Sequence, residues 1–285
     1  RKRTMLTALG LAVGYFAAVF TIGYSEGLMA EMVENATGLV SGQIEIHDAE
    51  YRPERSLYDT IGGRDGVNVT RLLDGVSTDP GVVAVAPRVY AGGLISSGES
   101  TSAGMLMGID PERELTVSRF LDELVDGRVP EQGRNELVIG VEMARQLAVG
   151  VGDDVIIVAP GADGSMGNDL YAVSGIFRTG MPELDAANAV LPLADLQTLI
   201  TLDPSRIHEI AVTIQNPWIA NDTAERLAAI LNPDDLGLEV APWTELNPII
   251  VEFVALINAF YGIVFVIDFG VAIFGVANTM LMSTY

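Results

Sequence analysis

The stretch IIVEFVALINAFYGIVFVIDFGVAIFGVANTMLMSTY, residues 249–285, carries only two charges, Glu252 and Asp268. A helix rises 1.5 Å per residue, so about 20 apolar residues cross the roughly 30 Å hydrocarbon core of a bilayer. The stretch is long enough to span a membrane once. A second such run lies at the other end: Met5 to Ser25 is free of charge and follows directly on Arg1-Lys2-Arg3. Basic residues beside a span stay cytoplasmic, so the chain is expected to begin inside the cell. The run is longer than the apolar part of a usual signal peptide, and no clear small-x-small cleavage site follows it before Glu26, so we expect a retained span. The first residue is not Met and no stop-transfer charge follows the last run, which reads as a fragment of a longer membrane protein.

Residues 4–251 hold 13 basic and 36 acidic residues. A domain this acidic repels nucleic acid and anionic headgroups, and we read it as the extracytoplasmic part. There is no cysteine, and a domain of about 220 residues builds a core without disulfides. With only His47 and His208 available, no metal site is expected.

Helical spacing continues past the first apolar run through Leu28, Met29, Met32, Val33 and Ala36, predicting a stalk that ends near Gly38. Strands are predicted at Gln43–His47, Val82–Val85, Val89–Ile95, Gly104–Ile109, Glu136–Ile139, Ala189–Leu191, Glu209–Ile214 and Leu238–Ala241, with Pro87 marking a bend or an edge. Val155–Val158 pairs with Tyr171–Phe177 around the turn cluster Pro160-Gly161-Ala162-Asp163-Gly164. Helices are predicted at Val67–Ser77, Val141–Leu147, Leu193–Ile200 and Trp218–Leu231. The fold class is therefore α+β. Two transmembrane helices flank an extracytoplasmic domain whose α/β part is built from its two ends, residues 39–99 and 203–246, with a β-rich insert over 100–202. The first span and stalk occupy 1–38, and the second stalk and span occupy 247–285.

Several chemistries lack their residues. There is no G-x-x-x-x-G-K-[ST], and the only lysine is Lys2, so this chain cannot cradle ATP in a P-loop. No G-x-S-x-G or H-E-x-x-H occurs, and no catalytic residue is assigned. His47 and His208 are expected at the surface. Asp268 stands out physically, since a carboxylate inside an apolar span costs several kcal/mol unless it is paired, protonated or facing water. It is a candidate intramembrane polar contact, unless the span begins later and leaves it near the interface. Gly10 and Gly14 form a G-x-x-x-G, a candidate helix-packing face.

Ordered motifs now point to a family. Arg3-Thr4-Met5-Leu6-Thr7-Ala8-Leu9-Gly10 resembles the start of the first span in permeases of the MacB/LolC/LolE/FtsX type. Ser41-Gly42-Gln43-Ile44-Glu45-Ile46-His47 looks like their first ectodomain strand. Gly108-Ile109-Asp110-Pro111-Glu112-Arg113-Glu114 is similar to a segment of the lipoprotein-releasing branch. Gly127-Arg128, Glu136 to Gly140, Leu147 to Asp153 and Val173 to Gly180 continue the progression, and Ala277 to Met282 fits the end of the second span.

The resemblance implies a porter-like part, an inserted sabre-like part, and a dimer with a second permease copy or paralogue. It also implies a partner ATPase that binds ATP and Mg, this chain binding no cofactor itself. ATP binding would draw two permeases together and the stalks would carry the movement outward. Lipoprotein cargo would then pass from the inner membrane to a periplasmic carrier or adaptor. Phe16, Phe20, Phe260 and Phe265 are candidates to face the cargo lipid. The hairpin implied to contact the carrier holds Pro160, Gly161, Asp163 and Met166. Alternatives are macrolide or peptide efflux, a cell-division permease, and, from another class, a two-span signalling receptor.

Overall fold

The computed structural model describes residues 2–38, 42–63, 67–231 and 236–284. The chain forms two compact units, Arg1–Asn35 with Asn247–Tyr285, and Ala36–Leu246. The first unit contains most of α1 (Lys2–Gly38) and α9 (Pro248–Thr284). Among the described residues, one segment, Pro248–Gly275, is long and apolar enough to cross a membrane.

The second unit holds the sheet. Its strands are β1 (Ile44–Asp48), β2 (Val82–Ser96), β3 (Thr101–Ile109), β4 (Leu124–Gly127), β5 (Glu136–Gly140), β6 (Asp154–Pro160), β7 (Met166–Phe177), β8 (Asn188–Pro192), β9 (Glu209–Ile214) and β10 (Leu238–Pro242). Its helices are α2 (Val69–Val76), α3 (Pro111–Val117), α4 (Val141–Leu147), α5 (Pro182–Ala187), α6 (Leu193–Leu199), α7 (Ala220–Leu231) and α8 (Trp243–Leu246). Among the described residues these ten strands form one sheet, ordered β10-β1-β9-β2-β3-β8-β5-β7-β4, with β6 joining β2 to β7.

The last pairing closes a ring. β2 pairs with β3, β3 with β8, β8 with β5, β5 with β7, β7 with β6, and β6 again with β2. Register fixes the inside of this six-stranded barrel. Ile95, Leu106, Leu137, Ile139, Val155, Ile157, Tyr171, Val173, Ala189 and Leu191 share one face and are all buried. Outside it, Met107, Ile109, Val138, Phe177 and Val190 are covered by Phe120 and Leu121, with the Phe120 and Phe177 rings edge to face at 4.2 Å. The Tyr171 hydroxyl donates to Asp195 O at 3.5 Å, and burial pushes it well above its ordinary range.

The segment 82–96 is one strand and not two. Its first half pairs with β9 and its second with β3 and β6. Arg88 O accepts from His208 N–H on the β9 side, so Pro87 faces the opposite side, one residue before β3 begins to pair at Arg88. The missing proline donor therefore breaks no ladder bond. The hairpin also differs in extent: β6 pairs with 166–172, and the rest of β7 pairs with β5 and β4.

The end of β5 runs against α5, where a Cβ at Gly140 would collide with the Asp185 backbone. Gly92, by contrast, has nothing within 4 Å of such an atom. Gly140→Ala should therefore lose about 2–3 kcal/mol by overpacking, and Gly92→Ala well under 1 kcal/mol. Urea unfolding of the full chain in detergent, followed by tryptophan fluorescence, checks both values.

Candidate functional site

Residues 44–48, 82–88, 209–214 and 238–242 make a four-stranded antiparallel part with two different faces. Register puts Ile44, Ile46, Val85, Ile210, Val212 and Ile214 on one face. It puts Glu45, His47, Ala84, Ala86, Arg88, Glu209 and Ala211 on the other. Polar and apolar residues alternate along β1, yet Glu45, His47, Arg88 and Glu209 on the polar face are as buried as the apolar face. α3 covers it, with Val117 seated against Ala86 and Ala211. Tyr51 covers it as well, its ring 5.7 Å from His47 and 5.6 Å from His208.

At the centre is Arg88, fully buried. Its Nε and Nη2 donate to the two oxygens of Glu114 at 3.1 and 2.5 Å. Its Nη1 donates to Glu209 Oε1 at 3.3 Å, and the Tyr90 hydroxyl donates to the same oxygen at 3.2 Å. Ser118 Oγ donates to Glu114 Oε1 at 2.7 Å. The segment from Gly108 to Glu114 explains this delivery. Asp110 caps α3 by accepting from the N–H groups of Glu112 and Arg113 at 3.1 and 3.3 Å. Pro111 opens the helix, and Glu114 lies one turn on, facing the sheet.

Glu45 lies on the same face, paired with Arg52, and the guanidinium of Arg55 stands 5.7 Å from the Tyr90 ring centre. Burial, then the nearby Glu45, push the Glu209 carboxyl up to about 7. Its Oε2 has no hydrogen-bond partner among the described residues. Burial pushes the phenols of Tyr90 and Tyr51 up as well.

The histidines correct the surface expectation, since both are fully buried. The signal was missed because residues 49–61, which cover them, have no periodic pattern. His208 Nδ1 accepts from Tyr90 N–H at 3.0 Å and Nε2 donates to Leu57 O at 3.1 Å. Both ring nitrogens serve the main chain, and burial pushes the imidazole down to about 4. Neither nitrogen is left to act as a base. Among the described residues no three His, Asp or Glu side chains converge to hold a metal.

The residues singled out from the sequence lie elsewhere. Phe16 and Phe20 are exposed on α1, their rings stacked at 6.3 Å. Phe260 and Phe265 are exposed on α9 but neighbour different rings, Tyr261 and Phe269. Asp268 is half-buried within α9. Nothing lies within 4 Å of a Cβ built on Gly14; the surroundings of Gly10 lie outside the described residues. Pro160, Gly161, Asp163 and Met166 do come together, at the tip of the β6–β7 hairpin. Gly161 N–H donates to Ser165 O at 2.8 Å, and Asp163 Oδ1 accepts from Ser165 N–H at 2.9 Å. Ala162 N–H donates to Ile200 O at 2.7 Å, which seats the turn on the end of α6. Met166 is exposed beside it.

Residues 4–230 match the model of the MacB-like periplasmic core domain. The chain is similar to the lipoprotein-releasing system transmembrane protein LolC of Xylella fastidiosa (strain Temecula1), 25% identical over 98% of this chain and 64% of that protein. It is also similar to the macrolide export ATP-binding/permease protein MacB 1/2 of Paracoccus denitrificans, 25% identical over 48% of this chain and 20% of that protein. The solved periplasmic region of MacB from Actinobacillus actinomycetemcomitans covers 77% of this chain and 97% of its own length. Its TM-score is 0.50 at 18% identity, a likeness of fold. The chain spans 64% of the length of the LolC relative.

Two opposed titrations follow from the adjacent pair His208 and Glu209. Between about pH 4.5 and 6.5 the folded chain keeps a proton on Glu209 that the unfolded chain has lost. Over the same range the unfolded chain holds a proton on His208 that the folded chain refuses. Their slopes cancel. Relative to the unaltered chain, His208→Gln should lose stability as pH rises from 4.5 to 6.5, and Glu209→Gln should gain it. Each change should reach about 3 kcal/mol across the window. Urea unfolding at stepped pH, read on Trp218 and Trp243, the two tryptophans of the chain, checks the signs. Arg88→Met should cost about 3–5 kcal/mol at neutral pH by leaving Glu114 buried and unpaired.

Proposed function

The chain belongs to the MacB-like periplasmic core domain family, and from that premise we propose that it acts in the membrane subunit of an ABC-type transporter that releases lipid-modified proteins from the bacterial inner membrane. The observation that carries this reading is extent. Similarity to a lipoprotein-releasing protein runs over 98% of the chain, against 48% for a macrolide exporter.

In this reading α1 and α9 both cross the inner membrane, the N-terminus is cytoplasmic, and the ectodomain is periplasmic. A partner ATPase binds ATP and Mg, and a second permease copy or paralogue completes the dimer. The chain contributes movement and not bond chemistry. β1 and β10 are adjacent antiparallel strands, with Ile44 opposite Pro242. α1 precedes β1 and α9 follows β10, so both stalks join neighbouring strands at one edge of the sheet. A shift of either reaches the same strands, and the sheet carries it through β9 and β2 into the barrel. Lipid-modified cargo lies against Phe16, Phe20, Phe260 and Phe265, and the β6–β7 tip with Asp163 and Met166 meets the carrier.

The test uses the full-length subunit with its ATPase in proteoliposomes loaded with an acylated protein. ATP should bring that protein into the soluble, carrier-bound fraction. Extrusion of a macrolide with no release of acylated protein would replace this reading with efflux. Photocrosslinkers at the four phenylalanine positions should capture acylated cargo during turnover, and their silence would remove those residues from the path.

A further inference from the structure

Gln43 lies just before β1 and is buried. Its main-chain N–H donates to Val212 O at 2.9 Å, and its C=O accepts from Trp243 N–H at 2.8 Å. Its side chain bonds in both directions. Nε2 donates to Thr37 Oγ1 at 3.2 Å, and Oε1 accepts from Ile214 N–H at 3.0 Å. These partners belong to three different elements. Thr37 is in the last turn of α1, Ile214 is the last residue of β9, and Trp243 opens α8, five residues before α9 begins at Pro248.

A primary amide is suited to this position because it offers a donor and an acceptor at one side-chain end. A hydroxyl is too short to reach both partners, and a carboxylate or an ammonium would bury a charge. The last turn of α1 is also held from a second direction. Gly38 O accepts from Arg119 N–H at 2.8 Å, and a Cβ at Gly38 would stand 3.6 Å from Arg119 Nε. The residue after Arg119 is Phe120, in the apolar layer against the barrel. The end of α1 is thus joined to the end of β9 through Gln43 and to the barrel layer through Arg119.

We propose that Gln43 is a positioning residue that couples the end of α1 and the root of α9 to the ectodomain sheet, so that displacement of either helix reaches β9 and the barrel together. The role of this coupling in release rests on the transport function proposed above; the coupling itself, read by exchange below, does not. A buried amide that merely satisfies its own neighbours would be replaceable by an apolar side chain with a local effect. A coupling residue, once replaced, loosens elements that its side chain does not touch.

The experiment uses the full-length subunit assembled with its ATPase, carrying Gln43→Leu or Thr37→Val. Leu keeps roughly the volume and removes both side-chain bonds; Val is isosteric with Thr and removes one. Hydrogen exchange is read at the amides of Ile214, Trp243 and Arg119, alongside ATP turnover and acylated protein released per ATP. Gln43→Leu should speed exchange at all three amides by about tenfold, the loss expected for a buried bond partner. It should cut release per ATP about tenfold with ATP turnover changed less than about twofold. Thr37→Val should move the same readouts in the same direction by about threefold. Exchange unchanged at Trp243 and Arg119, or release falling only in step with ATP turnover, overturns the proposal. If the unaltered transporter releases no acylated protein, the transport reading falls. The exchange at Trp243 and Arg119 then decides the coupling alone: faster exchange upholds it and unchanged exchange sinks it.

Discussion

A guanidinium with no access to water is tolerable only where its charge and its donors are met, and Arg88 is met from three directions. Glu114 reaches it from α3, Glu209 from β9, and Tyr90 from two residues along its own strand. Stripping water from one such ion costs several kcal/mol, and that cost returns in full if any partner is withdrawn. The three elements are therefore bound to one arrangement. α3 must lie across the small residues Ala84, Ala86 and Ala211, because only there can Glu114 arrive. With α3 fixed, Arg119 and Phe120 follow, and with them the contact to the end of α1 and the apolar layer on the barrel. Such a group gives little net stability over an apolar core of equal volume. What it supplies is a single register between two parts of one domain.

Much of this domain could be read from residue order. Gln43–His47, Glu136–Ile139, Val141–Leu147, Leu193–Ile200 and Glu209–Ile214 stand within one or two residues of the elements observed. Each has a period, a branched or aromatic run, or a clear stop signal. The short β4 and α5, of four and six residues, escaped because half a strand or little more than one turn gives no period to detect. The closure of the barrel escaped for a different reason. It depends on β6 meeting β2 some 60 residues apart, and no local pattern records a partner so distant.

The buried ionic group shows the limit of the alternation rule. Polar residues at every second position of a strand read as a wet face, and His47 and His208 were expected at the surface; Glu45 and Glu209 share their burial. The structure places them inside because α3 and residues 49–61 cover that face. The available signal was chemical and not periodic: Arg88 stands alone among apolar and small residues over 82–95. A lone charge in such a run requires a partner. The segment from Gly108 to Glu114, noticed first as a family motif, carries the partner in its last residue.

The strand β2 is 15 residues long and belongs to both the four-stranded part and the barrel. At about 3.3 Å per residue it reaches roughly 50 Å end to end. One end lies beside β9, in the part of the sheet whose strands β1 and β10 follow α1 and precede α9; the other is a stave of a closed ring. A ring has no free edge along which strands can slip, so this end of the strand is held on both of its sides. A tilt of 10° at one end of a rod that long displaces the other by about 9 Å, so a small angular change beside β9 is a large displacement at the barrel end of the same strand.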